Sequence, residues 1–224
     1  MITSRDNEKL KLVRKLHERR WREKLGLFFV EGEDAVEAAS VVGIEPVELL
    51  VAGDNVEADL LAEVGTAAHP PRVLGVYRRD QLPDEEQRPV RLALWRVGDP
   101  GNLGTLIRTL DAFRGSLYLS DGSADPTSPK SIRASAGAIF RVPIGRFEDA
   151  PRPWCVLDPH VRSEPAIPDF PREVTFVLGA EREGVPREVI ERTDSLWSIP
   201  GESESLNVAV AGSIALWEWR RSNL

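Results

Sequence analysis

Residues 199–221, IPGESESLNVAVAGSIALWEWRR, decide how the rest of the chain is interpreted. A short apolar run leads into this stretch, a Pro-Gly break follows, and the remainder consists of helix-forming residues. Helical spacing is marked by Val208, Ala211, Ala215 and Trp219. The hydroxyl of Ser205 can accept a free backbone N–H, so Ser205 is the expected N-cap. The pattern predicts a buried strand, a sharp turn and a helix that begins with Ser205 and Asn207, where α/β proteins bind ligands.

Two earlier stretches have the same arrangement of strand, turn and polar residues. In residues 99–115, DPGNLGTLIRTLDAFRG, Asn102 is expected to cap a helix, and Arg108 lies off its apolar stripe as a permanent forked cation. In residues 176–184, FVLGAEREG, Gly179 ends an apolar strand and Glu181 follows two residues later. Neither G-x-G-x-x-G nor a Walker-type loop occurs, so the sequence does not support dinucleotide or nucleoside-triphosphate binding.

The charge of the chain is unevenly distributed. The chain has 224 residues, 42% of them hydrophobic, which is enough for one large or two small domains. The net charge of −7 argues against a surface that binds nucleic acid everywhere. Residues 5–24 nevertheless carry nine Lys or Arg against four acids, a net charge of +5. A basic helix with one interleaved Trp predicts RNA contact. The residues expected to make it are Lys9, Lys11, Arg14, Lys15, Arg19, Arg20 and Arg22.

The single cysteine and the amino-terminal residues suggest a cellular compartment. Cys155 cannot form a disulfide within the chain, and its apolar neighbours predict a core position. The first residues, MITSRDNEKL, lack the apolar segment of a signal peptide, and no apolar run approaches the length of a membrane span. We therefore expect a cytoplasmic protein in a reducing environment.

The order of apolar strands and amphipathic helices predicts an α/β protein with two domains. Residues 5–24 are predicted to form one basic helix, and short strands alternate with helices up to residue 76. Residues 78–89, RRDQLPDEEQRP, are polar, contain two prolines and show no periodicity, so they are the expected linker. Beyond this linker, strands and helices alternate again. The pattern predicts a first domain at 1–88, a second at 89–224, and a mainly parallel sheet.

In this order the three stretches resemble the signature motifs of the SpoU/TrmH family of SPOUT RNA ribose methyltransferases. Motif one matches Asn102, Gly104, Arg108 and Thr109; motif two matches Gly179, Glu181 and Gly184; motif three matches Ile199, Pro200, Ser205, Leu206, Asn207 and Val208. Residues 14–39 resemble the ribosomal-protein-like substrate-recognition domain, a small α/β/α unit, that many members carry in front. The resemblance covers nearly the whole chain.

The resemblance implies a catalytic domain with a deep carboxy-terminal trefoil knot that holds S-adenosylmethionine. The residues matched to the cofactor site are Gly179, Ile199, Pro200 and Leu206. It also implies a homodimer in which the motif-one arginine completes the site of the partner. Trp217 and Trp219 on the last helix would suit such an interface or would pack within one subunit.

The implied reaction is methyl transfer to a ribose 2′-hydroxyl, which requires no metal. The catalytic residues implied by the resemblance are Asn102, Arg108, Glu181, Ser205 and Asn207. A guanidinium stays protonated, so Arg108 is expected to stabilise the forming alkoxide and the adjacent phosphate, while a phosphate oxygen or water takes the proton. Ribosomal RNA is favoured over transfer RNA because the amino-terminal domain resembles that of ribosomal RNA enzymes.

Residues 201–204 depart from the family pattern. This loop is about two residues shorter than usual and carries Glu202 and Glu204, which would repel RNA phosphates or attract a sulfonium. Two alternatives remain: an RNA-binding assembly protein that keeps the fold without activity, and a SPOUT enzyme that methylates a base.

Overall fold

The computed structural model describes residues 1–66, 69–84, 88–160, 169–180, 183–201 and 205–224. Within these ranges the helices are α1 (Glu8–Leu16), α2 (Arg19–Leu25), α3 (Glu33–Val41), α4 (Ala58–Val64), α5 (Pro100–Phe113), α6 (Pro129–Ser135), α7 (Arg187–Ile190) and α8 (Val208–Ser222). The strands are β1 (Leu27–Glu31), β2 (Glu48–Val51), β3 (Val73–Arg78), β4 (Val90–Trp95), β5 (Ser116–Leu119), β6 (Ile144–Arg146), β7 (Trp154–Leu157), β8 (Val174–Gly179) and β9 (Ser195–Trp197).

The first three strands form an antiparallel sheet in the order β1-β3-β2. Both β1 and β2 run opposite to β3, which lies between them. The expectation of a mainly parallel sheet, drawn from the alternation of strands and helices, does not extend to this first sheet. Alternation of helix and strand defines the order of elements, but it does not define the direction in which each strand enters the sheet.

The basic segment at the amino terminus is two helices instead of the single helix expected over residues 5–24. α1 ends at Leu16 and α2 begins at Arg19, because Glu18 has an extended backbone with φ −95° and ψ 133°. Nε2 of His17 lies 2.8 Å from the carbonyl oxygen of Val64, which holds the turn against the end of α4.

The second sheet has six described strands in the order β6-β5-β4-β8-β7-β9, and every neighbouring pair is parallel. The prediction of a mainly parallel sheet is confirmed here. β4 and β8 are fully buried along most of their length, as expected of central strands covered on both faces. Because all six strands point the same way, the loops that follow them emerge at one edge of the sheet.

Close packing of α5 against its neighbours depends on two glycines. A Cβ built on Gly104 would lie 2.4 Å from the carbonyl oxygen of Ser131 in α6. A Cβ built on Gly212 in α8 would lie 2.6 Å from Cδ2 of Leu106 in α5. Any side chain at either position would separate the helices, so α5 is fixed between α6 and α8.

The two sheets are joined by an aromatic contact. Phe28 of β1 and Tyr77 of β3 pack against Phe140, with ring centroids 5.9 and 5.1 Å away. All three rings are buried, and burial raises the pKa of Tyr77 to about 12. Cys155 is also buried, which confirms its predicted core position.

A buried ion pair, here called the Arg22–Asp125 clamp, also joins the amino-terminal helices to the part of the chain that contains the second sheet. Nη2 of Arg22 lies 2.8 Å from Oδ2 of Asp125, and the side chains are only 4% and 5% exposed. Nη1 of the same arginine donates to the carbonyl oxygens of Leu16 and His17, both at 2.8 Å. One guanidinium therefore closes the end of α1 and binds the segment that follows β5.

Within the described ranges, none of the helices combines the length and the apolar composition needed to cross a membrane. The trefoil knot implied by the family resemblance stays a prediction, because strand order and register do not define how a chain passes through a loop.

Candidate active site

The loops that contain the three motifs lie at the carboxyl edge of the parallel sheet. Trp95, the last residue of β4, is paired in register with Gly179, the last residue of β8. Trp197 ends β9 at the same edge, where its carbonyl oxygen accepts a hydrogen bond of 3.0 Å from the backbone N–H of Asp158. Ligands of open α/β sheets bind at this edge, in the crevice between loops.

The motif-one loop is capped by Asp99 and not by Asn102, so the cap expected from the sequence is wrong. Oδ1 of Asp99 accepts from the backbone N–H of Asn102 at 2.8 Å, and Pro100 occupies the first helical position. Oδ2 of Asp99 accepts from Nζ of Lys130 at 2.7 Å. Mainly this lysine, with the N–H of Asn102, lowers the pKa of Asp99. The side chain of Asn102 is therefore left to face the other motifs.

The motif-three helix α8 is capped by Asn207, whereas the sequence favoured Ser205. Oδ1 of Asn207 accepts from the backbone N–H groups of Ala209 at 2.9 Å and Val210 at 3.3 Å. Nδ2 of the same side chain donates to Oδ1 of Asn102 at 3.1 Å. The structure thus brings together two predicted site residues, 105 positions apart in the sequence.

The motif-two turn is so tight that it requires glycine. A Cβ built on Gly179 would lie 2.1 Å from the carbonyl carbon of Gly184, and Gly184 donates its N–H to the carbonyl oxygen of Ala180 at 2.8 Å. Gly184 has φ +64°, a left-handed conformation that glycine adopts without strain. Glu181, predicted to be catalytic, lies outside the described residues.

The other residues matched to motif three surround this edge. Ile199 is half-buried and packs on the main apolar core, whereas Pro200, Ser205 and Leu206 are exposed. Open space lies beside the backbone in two of the loops: a Cβ built on Gly98, after β4, or on Gly201, after β9, would meet no heavy atom within 4 Å. A flat or bent ligand therefore has access to the backbone at this edge.

Arg108 is exposed on α5, about 9 Å along the helix axis from Asn102. It lies three residues beyond Thr105 and therefore on the same face of α5. Among the described residues, no acidic group lies within ion-pair distance of its guanidinium. The sequence-based expectation of a forked cation off the apolar stripe agrees with this position, and its catalytic role stays a prediction.

A groove between α5 and α8 begins at the Asn102–Asn207 contact. This α5–α8 groove has a volume of about 460 Å³. Its lining includes Asn102, Thr105, Asn207, Val210, Ser213 and Trp217. Trp217 is 58% exposed, whereas Trp219 is buried and donates its indole N–H to the carbonyl oxygen of Arg172 at 3.2 Å. Of the two tryptophans considered for an interface, only Trp217 is accessible.

One residue beside the site did not stand out in the sequence. Arg96 follows β4 directly, is exposed, and has φ +51°, a conformation that costs a non-glycine residue roughly 1–3 kcal/mol. Its backbone N–H donates to Oγ of Ser120 at 2.8 Å. The sequence contains no turn signal at Arg96, so its conformation could not be read from residue type.

The basic surface of α1 and α2 is only partly neutralised. Lys15, Arg20 and Lys24 surround the half-buried Trp21, with cationic groups 5.0–5.6 Å from the ring centroid. Arg20 is also paired with Glu18 at 2.7 Å, and other cations predicted to bind RNA are exposed or half-buried and have acidic or carbonyl partners. They are Lys9 with Glu48, Lys11 with Glu8, Arg14 with the carbonyl oxygen of Arg5, and Arg19 with Glu23.

Arg22 is the exception among the residues predicted to contact RNA. Its guanidinium is buried in the Arg22–Asp125 clamp, with hydrogen bonds to Asp125 and to two carbonyl oxygens. RNA cannot reach it in this structure, so that part of the prediction is wrong. In the part of the chain that the structure describes, no group of three or more His, Cys, Asp or Glu is arranged to hold a metal ion.

Comparison with known proteins agrees with this architecture. Residues 89–217 match the model of the SpoU rRNA Methylase family, and residues 7–76 match the MRM3-like substrate binding domain. The 23S rRNA (guanosine(2553)-2′-O)-methyltransferase RlmP of Bacillus subtilis is 31% identical over 98% of both chains.

Two solved structures share the fold over nearly their full length. An AdoMet-bound rRNA methyltransferase from Sinorhizobium meliloti superposes with a TM-score of 0.86 at 27% identity, covering 100% of this chain and 98% of that one. The SpoU methyltransferase AviRb from Streptomyces viridochromogenes, solved with AdoMet, gives a TM-score of 0.80 at 25% identity, with 97% and 98% covered.

The fold and the site therefore define an α/β RNA methylase of the SPOUT class with a substrate-binding unit in front of its parallel sheet. The chain belongs to the SpoU rRNA methylase family. The family assignment made from three short motifs is thus confirmed.

Proposed function

We propose that this protein transfers a methyl group from S-adenosylmethionine to a ribose 2′-hydroxyl of ribosomal RNA, in the cytoplasm. The observation that carries the proposal is the hydrogen bond between Asn102 and Asn207 at the edge where all three motif loops emerge. The names of the relatives support ribosomal RNA over transfer RNA, and the solved relatives support the cofactor.

The described residues fit the proposed cofactor. Gly98 and Gly201 leave open space at the carboxyl edge, and the tight Gly179–Gly184 contact fixes the backbone beside it. Backbone groups near Gly179, Ile199, Pro200 and Leu206 would hold the cofactor. When bound, S-adenosylmethionine supplies an electrophilic sulfonium methyl group. No acid, base or metal is required to activate that methyl group, so the protein must act on the hydroxyl.

In our proposal, Arg108 is the residue that acts on the ribose hydroxyl. Its guanidinium remains protonated and cannot serve as a simple base, but it can stabilise the alkoxide as it forms and bind the neighbouring phosphate. A phosphate oxygen or a water molecule takes the proton. The paired amides of Asn102 and Asn207 orient the ribose, and Ser205 and Glu181 are the remaining catalytic residues of the proposal.

Residues 1–88 select the RNA and residues 89–224 carry out the transfer in this proposal. The cations around Trp21 form a surface on which a base can stack while phosphates contact Lys15, Arg20 and Lys24. Exposed ion pairs such as Arg19–Glu23 contribute roughly 0–1 kcal/mol, so an RNA phosphate can replace the acid. Affinity for RNA should consequently fall steeply with salt.

The active unit is a homodimer in this proposal, with a second copy of the chain docked in the α5–α8 groove. Trp217 is an exposed aromatic side chain of the kind enriched at interface centres. Arg108 is on the same face of α5 as the groove residue Thr105, so docking would direct it towards the partner. The implied role of the arginine in completing the partner's site fits this position.

Substitution of Arg108 tests the assignment of the reaction. Arg108→Ala should lower methyl transfer to ribosomal RNA at least a hundredfold, as loss of one transition-state donor does in about that range, while the dissociation constant for S-adenosylmethionine stays nearly unchanged. Arg108→Lys keeps the charge without the fork and should remain strongly impaired. Arg114→Gly, at the opposite end of α5, is the control and should retain wild-type activity. Retained activity in Arg108→Ala would refute the role.

The position of the methyl group separates the remaining alternatives. A methyl group on the ribose blocks cleavage of the adjacent phosphodiester, so nuclease digestion and mass spectrometry should give an uncut methylated dinucleotide. A methylated mononucleotide would instead indicate base methylation. Failure to bind S-adenosylmethionine in calorimetry would favour an inactive assembly protein on the same fold.

A further inference from the structure

We propose that Arg96 binds an RNA phosphate between the amino-terminal recognition surface and the reactive edge of the sheet. The inference rests on the proposed function and assigns a further substrate-binding residue to it.

Strand pairing and two hydrogen bonds fix the backbone around Arg96 on three sides. Trp95, immediately before it, is paired with Gly179 of motif two. Its own N–H donates to Oγ of Ser120 at 2.8 Å, and the carbonyl oxygen of Val97 accepts from the N–H of Ala124 at 2.9 Å. Arg96 therefore stands between the motif-two turn and the segment after β5, three residues before the cap of motif one.

The conformation of Arg96 is unfavourable for any residue with a side chain. Its φ of +51° is in the left-handed region, where glycine would fit without strain. Strained residues of this kind persist where the surrounding structure holds them, and they cluster at ligand sites. Arg96 therefore has a backbone conformation that glycine would adopt at lower cost.

The side chain is supported along its stem and open at its tip. Cγ, Cδ and Nε of Arg96 lie 3.5–3.9 Å from the Cβ position built on Gly122, an ordinary van der Waals separation, so the stem of the arginine runs alongside this residue. Within the described ranges, no carboxylate lies close enough to form an ion pair with Arg96. A guanidinium that is exposed, supported and unneutralised matches the fork geometry of a phosphate.

Arg96 is also close to the recognition helices. Gly122 belongs to the segment whose Asp125 is held by Arg22 of α2 in the Arg22–Asp125 clamp. Arg19 of α2 interacts electrostatically with the same segment. The pKa of Arg19 is raised mainly by a hydrogen bond to Glu23 and, to a smaller extent, by the charges of Asp125 and Asp121. This segment links the surroundings of Arg96 to α2, and Arg96 is positioned to bind the backbone of an RNA that lies along it.

The experiment compares Arg96→Gly with Arg114→Gly. Both residues are exposed arginines with φ close to +50°, so both substitutions relieve the same strain and remove the same charge. Arg114 caps the far end of α5, about 21 Å from its start. Binding is measured by filter retention of protein-free ribosomal RNA from cells that lack the protein, and turnover is measured with radiolabelled S-adenosylmethionine on the same RNA.

Arg96→Gly should weaken RNA binding about tenfold and raise KM for RNA by a similar factor, as expected for one charge-assisted phosphate contact. The slope of log affinity against log salt should decrease by about one unit. The value of kcat at saturating RNA, affinity for S-adenosylmethionine and the melting temperature should not fall. Arg96→Lys should recover part of the binding, and Arg114→Gly should match wild type in RNA affinity, salt slope and turnover.

Equal RNA affinity and equal salt slopes for the two glycine variants would overturn the proposal, as would a fall in kcat with unchanged RNA affinity. Absence of methyl transfer in the wild-type protein would instead refute the proposed function. The binding comparison would still decide the role of Arg96 in that case.

Discussion

Removal of the charge of Asp125 should destabilise the whole protein. Asp125→Asn keeps the shape of the side chain but leaves the guanidinium of Arg22, which is 4% exposed, buried without a counter-charge. Loss of one partner from a buried pair costs about 3–5 kcal/mol. Arg22 retains the carbonyl oxygens of Leu16 and His17, so we expect the lower end, about 3 kcal/mol. For a chain of this size that corresponds to a decrease of roughly 6–12 °C in melting temperature.

The dependence of protein stability on pH gives a second test of the Arg22–Asp125 pair. Burial alone would raise the pKa of Asp125, but hydrogen bonds from Thr127 and Arg22 outweigh it and lower the pKa. A carboxylate with a lowered folded-state pKa stabilises the protein above its unfolded-state pKa of about 3.9, and that contribution disappears as the pH falls through the folded-state value. The stability difference between wild type and Asp125→Asn should therefore be constant from about pH 5 to 8 and shrink only below about pH 4.

Thermal and urea unfolding followed by circular dichroism measures these differences. Glu23→Gln is the matched control, because it breaks the exposed Arg19–Glu23 pair and should cost less than about 1 kcal/mol. Arg22→Met should cost less in the Asp125→Asn background than in wild type, because the unpaired cation is then removed. A loss below about 1 kcal/mol for Asp125→Asn, equal to that of the control, would refute the clamp.

Three further outcomes follow from other parts of the structure. Asn207→Ala removes the cap of α8 and the bond to Asn102, so it should cost about 1 kcal/mol in unfolding experiments and also reduce methyl transfer. If the proposed dimer docks through the α5–α8 groove, Trp217→Glu places a charge there and should convert the dimer to monomer in light scattering; an unchanged dimer would contradict docking there. Burial raises the pKa of the Cys155 thiol, although a hydrogen bond with Ser195 partly offsets it, so iodoacetamide at pH 8 should label the native protein far more slowly than the urea-unfolded protein.

The sequence alone was sufficient to predict most strands and helices of the second sheet and the motifs that follow its strands. Continuous apolar runs such as β4 and β8 give strong strand signals, and α6 begins at Ser128-Pro129, a capping residue followed by proline at the first helical position. The sequence favoured Ser205 as the cap of α8, and this choice was wrong because Ser and Asn both cap helices well. Asn207 is the cap, and its amide also donates a hydrogen bond to Asn102.

Other features depended on contacts distant in sequence. Arg22 has the same residue type as its exposed neighbours, and only the position of Asp125, 103 residues later, shows that it is buried. The antiparallel direction of β3 likewise depends on tertiary pairing with β1 and β2. The backbone of Arg96 is held by a hydrogen bond to Ser120, which no local pattern connects to it.

The Arg22–Asp125 clamp limits how this protein can be divided. If the first 88 residues were excised, the guanidinium of Arg22 would keep its two carbonyl partners but lose its ion pair with Asp125, and Phe28 and Tyr77 would lose Phe140. Chimeras that transplant this unit onto another catalytic sheet would therefore need an aspartate and an aromatic ring at matching points of the recipient. An exchange of RNA preference by this route would thus depend on residues that are buried in this structure.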